Sequence, residues 1–138
     1  MSLAETFAKR YAGLRSAYGT FTSTNETRED GKASGKNITI SKNLEEKDVI
    51  DLWTKHLNGQ QSLGIVPINE DNECVWGAID VDEYQLDLKS LAIRLAQQQL
   101  PLVLCRSKSG GAHIFIFLVE PIPASMLQRK LRQVAAAI

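Results

Sequence analysis

The chain has 138 residues, enough for about one domain with a buried core. Its 16 Lys and Arg balance 16 Asp and Glu, which excludes a global basic field, so any nucleic-acid contact must come from a local patch. No apolar run reaches the length of a membrane span, no secretory leader is visible, and Cys74 and Cys105 stand outside any CxxC or Cys/His cluster, as free thiols of a cytoplasmic protein do.

Residues 3–18 place Phe7, Tyr11 and Leu14 at helical spacing, which predicts a first helix. Residues 19–43 are rich in Gly, Ser, Thr, Asn and charge and read as a long polar segment. Its Lys32, Lys36 and Lys42 could reach an anionic ligand, with a solvated loop as the simpler alternative. Residues 41–58 form a second helix. Glu45, Glu46 and Asp48 sit near its start, where the helix dipole favours acids. Val49, Leu52, Trp53, His56 and Leu57 fall on one stripe, with His56 as a packed or capping residue, and Asn58-Gly59 closes the helix.

Residues 62–68 read as a short buried strand, and 74–82 as a central one. Residues 86–99 form an amphipathic helix with Leu88, Leu91, Ala92 and Leu95 on its face, and Pro101 stops it. Strands follow at 102–105 and 113–119, then a Pro-containing turn. A last helix is capped by Ser125 and runs over 126–137, with Leu127, Leu131 and Val134 inward and Arg129, Lys130 and Arg132 outward. The expected architecture is α+β. A helix-strand extension precedes a ferredoxin-like sheet incomplete at its C-terminus, with residues 1–61 as an N-terminal helical and loop segment and 62–138 as the partial catalytic-type core. The β-α-β-β-α order lacks the last strand of that unit, so the chain reads as an N-terminal fragment.

Two motifs carry chemistry. Asp80 and Asp82 end the apolar run Trp76-Gly77-Ala78-Ile79 with one residue between them, so in a strand they share a face. Paired carboxylates repel unless a cation joins them, and all-oxygen ligation suits Mg²⁺ or Mn²⁺. The second motif is Arg106-Ser107-Lys108-Ser109-Gly110-Gly111-Ala112-His113. Its glycines, hydroxyls, cations and imidazole have the chemistry of a phosphate cradle. Alone, each has a plainer reading: a solvated strand end and a Gly-rich hairpin. Together, across one helix, they form the set that holds a metal–nucleoside triphosphate.

These residues, with Gly64-Ile65 and the strand Ile114-Phe115-Ile116-Phe117, resemble the archaeo-eukaryotic primase superfamily, in particular primase-polymerase domains of mobile elements and conflict systems. The resemblance implies a metal-dependent nucleotidyltransferase acting on nucleoside triphosphates with a DNA template and primer, and a helicase domain or subunit as a partner in the parent protein. It implies that Asp80 and Asp82 bind the ions and that His113, in the small-x-His motif Gly111-Ala112-His113, contacts phosphates with Ser107 sharing that work. The family's third acid has no candidate after His113 and is expected beyond Ile138, leaving this chain alone inactive. The alternatives are a non-catalytic nucleotide- or nucleic-acid-binding domain and a purely structural one.

Overall fold

The computed structural model describes residues 1–27, 29, 33–83 and 85–138, with side chains described outside 25–27 and 33. Lys32 and Tyr84 lie outside the described residues. The chain folds as two compact units, Met1–Asn72 and Glu73–Ile138, and the described residues form the expected α+β mixture, with four helices and two antiparallel sheets among them. None of the described helices is long and apolar enough to cross a membrane.

The first unit packs α1 (Leu3–Arg10) and α2 (Glu46–Leu57) with a hairpin of β1 (Ala17–Thr27) and β2 (Ala33–Ser41). The first helix is shorter than its periodicity suggests: Tyr18 belongs to β1, where it pairs with Ile40 and turns into the core. The segment expected as polar loop is this hairpin, because Thr20, Thr22, Ile38, Thr39 and Ile40 are β-branched and stabilise the extended chain. Phe7 and Tyr11 set their rings 5.1 and 5.5 Å from that of Trp53, which is buried with Val49 and Leu52. The Asp48 carboxylate accepts the Glu45 N–H at 2.9 Å, closing the start of α2. His56 is exposed at the end of α2, its ring edge-on to Trp53 at 5.7 Å and its Nδ1 3.1 Å from the Gln61 carbonyl beyond the helix. Residues 62–68 form no strand. Gly64 makes one bridge with Gly19, two N–H···O bonds of 2.8 Å, and this ties the segment to the first unit. Glu70 adds a second tie, accepting the Arg15 N–H at 2.7 Å and the Ser16 N–H at 3.1 Å.

The second unit is a three-stranded sheet of β3 (Glu73–Val81), β4 (Leu102–Arg106) and β5 (Ala112–Pro123), in the order β3-β5-β4. Helices α3 (Leu88–Ala96) and α4 (Ala124–Ala137) cover one face. Ala112, Ile114 and Ile116 alternate along β5 onto that face, with Leu91 and Leu95 of α3 over the first two and Leu127 of α4 over the third. The order is that of the first three strands of a split β-α-β unit. β5 is therefore central, and β3, expected to be central, has only β5 as a partner among the described strands.

A register shift between Cys74 and Trp76 makes Cys74 and Gly77 both face the helices, as a bulge does. The turn expected at 120–123 is the continuation of β5, paired through Cys74–Ile122 and Glu73–Pro123 beyond this irregularity. Consequently α4 starts at Ala124 after Pro123, and Ser125 is not its cap. Helix α3 is also shorter than expected: Asp87 accepts the Ser90 N–H at 3.2 Å and starts it, and Ala92 is exposed.

Candidate functional site

Pairing fixes which side chains share the face of the sheet opposite α3 and α4. Directly opposed residues in an antiparallel pair project to the same side. Trp76 opposes Phe117, Ala78 opposes Phe115 and Asp80 opposes His113 across β3 and β5. On the other edge, Val103 opposes Phe115 and Cys105 opposes His113. One row across the sheet thus runs Asp80–His113–Cys105, and the next Ala78–Phe115–Val103.

The His113 Nε2 lies 3.4 Å from the Asp80 Oδ1, with 44% of the His113 and 72% of the Asp80 side chain exposed. A polar contact this long and this wet contributes little, about 0–1 kcal/mol. The strand register, not the pair, holds the two groups together. Both therefore remain available to a ligand. Asp82 follows the last residue of β3 and is exposed.

The loop at 106–111 closes between β4 and β5 by two bonds of its own: Ser107 N–H to Gly111 carbonyl at 3.0 Å and Gly110 N–H to Ser107 carbonyl at 3.2 Å. Two of the backbone donors of the expected cradle are thus used inside the loop. The hydroxyls of Ser107 and Ser109 and the exposed Lys108 supply further donors. Gly110 has φ +92°, a left-handed conformation that disfavours any side chain. Gly111 is buried against β3: a Cβ there would overlap the Val81 carbonyl oxygen and stand 3.3 Å from the Ser107 Oγ. Val81 separates Asp80 from Asp82, so this glycine sets the loop directly against the acidic strand end. Arg106 is exposed and opposes Ala112, so alternation starts its side chain on the helix-covered face rather than beside His113.

Lys36 and Lys42 are exposed on the first unit, at β2 and just after it. Among the described residues, no group of three or more His, Cys, Asp and Glu side chains stands together as a metal-ligand set. Sequence reasoning missed the position of Cys105. It is half-buried beside His113, whereas Cys74 is buried under α4, where loss of solvent pushes its thiol pKa up. Reasoning also left Phe115 and Phe117 unassigned. Their i, i+2 and i, i+4 spacing from His113 was the available signal.

A protein-family model described as the archaeo-eukaryotic primase domain of the TOTE conflict system matches residues 3–137. No curated protein matches the chain.

Proposed function

The chain belongs to the archaeo-eukaryotic primase domain family of TOTE conflict systems, and on that premise we propose that it is a primase-polymerase domain that transfers nucleotides from nucleoside triphosphates to a DNA primer on a template. The observation that carries this reading is the juxtaposition of Asp80 and His113, 3.4 Å apart on one face, beside a loop seated on the same strand end by Gly111.

The donor set fits a hard divalent ion. Asp80 and Asp82 are exposed carboxylates with oxygen lone pairs free for an ion that keeps waters or phosphate oxygens in its shell. They would hold Mg²⁺ or Mn²⁺, which supplies positive charge to offset that of the phosphates in the transition state. His113, through Nε2, donates to a phosphate oxygen, and its place opposite Asp80 orients it. The Ser107 and Ser109 hydroxyls and Lys108 bind the remaining phosphate oxygens, with Arg106 as a more distant cation. The reaction these groups serve is attack of a primer 3′ hydroxyl on the α-phosphorus. The new P–O bond forms as the bond to the β-phosphate oxygen breaks, releasing pyrophosphate. Partners on this reading are a nucleoside triphosphate, a template with its primer, and a helicase activity acting on the same DNA.

Template-directed primer extension with Mg²⁺ or Mn²⁺, assayed on the protein as it occurs in the cell, tests the proposal. Extension lost in Asp80→Ala, Asp82→Ala and His113→Ala supports it. Extension indifferent to Asp80→Ala overturns the placement of the active site. Metal-dependent nucleotide binding without any extension identifies a non-catalytic nucleotide-binding domain.

A further inference from the structure

The sheet face that carries Asp80 and His113 also carries a continuous run of rings. Phe115 lies 5.9 Å from His113 edge-on, 6.2 Å from Trp76 and 6.0 Å from Phe117, the last pair only 21° from parallel. Val103, opposite Phe115, is 44% exposed, and Ala78 on its other side is exposed as well. Trp76 is buried at the far end of this row, and on the other face Ala112 and Ile114 are fully buried and Ile116 nearly so. Two half-buried phenylalanines alternate with these residues toward the side where phosphate chemistry is expected.

We propose that Phe115 and Phe117 form a stacking platform for successive bases of a single-stranded template. This rests on the nucleotidyl-transfer reading, which supplies the strand. Aromatic rings stack on any base, because every base has a π-face, so such a platform reads no sequence. A single nucleobase needs one ring. Repeated rings about 6 Å apart along one strand instead suit a run of bases. Exposed Lys108, in the loop at the His113 end of the row, supplies a cation for the sugar-phosphate backbone. Bases rest on the rings of β5, and the strand leads toward the acidic end of β3.

Binding of a short thymidine oligomer, compared with an abasic oligomer of the same length and charge at one fixed salt concentration, tests the platform. Fluorescence anisotropy on the full chain reads both. The wild-type protein is expected to prefer the thymidine oligomer by about tenfold or more, the scale of one to two stacked bases. Phe115→Leu and Phe117→Leu keep apolar bulk and remove the ring, and each is expected to close most of that gap. Phe115→Trp is expected to keep it. Asp80→Asn separates the two readings. It is expected to lose Mg²⁺–nucleotide binding while keeping the oligomer preference. Should Asp80→Asn leave nucleotide binding intact, the catalytic reading fails while the platform stands. Equal wild-type affinity for the two oligomers, or leucine variants that bind like wild type, overturns the platform.

Discussion

Gly111→Ala is the substitution for which the structure gives the most specific expectation. The added methyl meets the Val81 carbonyl oxygen well inside van der Waals contact, and the Ser107 Oγ at 3.3 Å on its other side. The main obstacle is backbone, and Val81 is held in the sheet by pairing with Ala112. The methyl is accommodated only by displacing the loop or the end of β3. Overpacking of this kind costs about 1–3 kcal/mol. Alanine also restricts the unfolded chain, which offsets about 0.4–1 kcal/mol. The net destabilisation is then about 1–2 kcal/mol, read as a lower urea midpoint at constant slope. Gly59→Ala is the comparison. Gly59 has φ +75° and nothing within 4 Å of a built Cβ, so it tests backbone strain without a clash. Both variants lose stability. Only Gly111→Ala also weakens metal–nucleotide binding, because it moves the residue between Asp80 and Asp82. A Gly111→Ala protein with wild-type midpoint and wild-type nucleotide affinity would refute the claim that this glycine seats the loop on the acidic strand.

Ile114 is fully buried between α3 and the sheet, and Ile114→Ala is expected to cost about 2–5 kcal/mol in denaturant unfolding. Gly77→Ala meets the methyl tips of Leu131 and Leu127 at 2.8 and 2.9 Å, flexible ends that can turn aside, so its cost is about 1 kcal/mol. Combined with Leu131→Val, that cost is expected to be less than additive in a double-mutant cycle. Hydrogen bonds from the Arg15 and Ser16 backbone hold the Glu70 carboxyl below the ordinary glutamate range. A lowered folded pKa contributes stability above the unfolded pKa and loses it as pH falls through the folded one. Glu70→Gln should therefore be less stable than wild type at neutral pH, with the difference vanishing in acid, as thermal unfolding across pH measures.

The second unit was the more legible half of the chain. The run ending in Asp80, the Leu91 and Leu95 stripe of α3 and the Leu127 and Val134 stripe of α4 all carry an unmixed apolar period, and burial follows that period. The first unit hides its strands. Of the β1 and β2 side chains, Tyr18 is buried and Ile40 packs against the same core, while Thr22, Ser23, Lys36 and Asn37 are exposed, so no alternation marks the hairpin. Its β-branched content was the remaining clue. Pro121 and Pro123 signalled a turn, yet β5 continues to Pro123 at the end of the ladder, beyond the register shift, where lost donors matter least. The face shared by Asp80, His113 and Cys105 could not be read from composition. Strands β4 and β5 are apolar on both sides, and only the register says which residues stand beside His113. Asp80 and the motif histidine stand directly opposite each other across β3 and β5. In the structure they touch, so a phosphate bound at His113 would have to replace the Asp80 contact.

That replacement makes equilibrium binding of a nucleoside triphosphate, titrated with and without Mg²⁺ or Mn²⁺, the most direct test of the central claim. The account predicts binding that requires the metal, loses that requirement together with its affinity in Asp80→Asn, and weakens about tenfold or more in His113→Ala, the scale of one hydrogen bond to a charged oxygen. Binding of equal strength with and without metal, unchanged by Asp80→Asn, would contradict it.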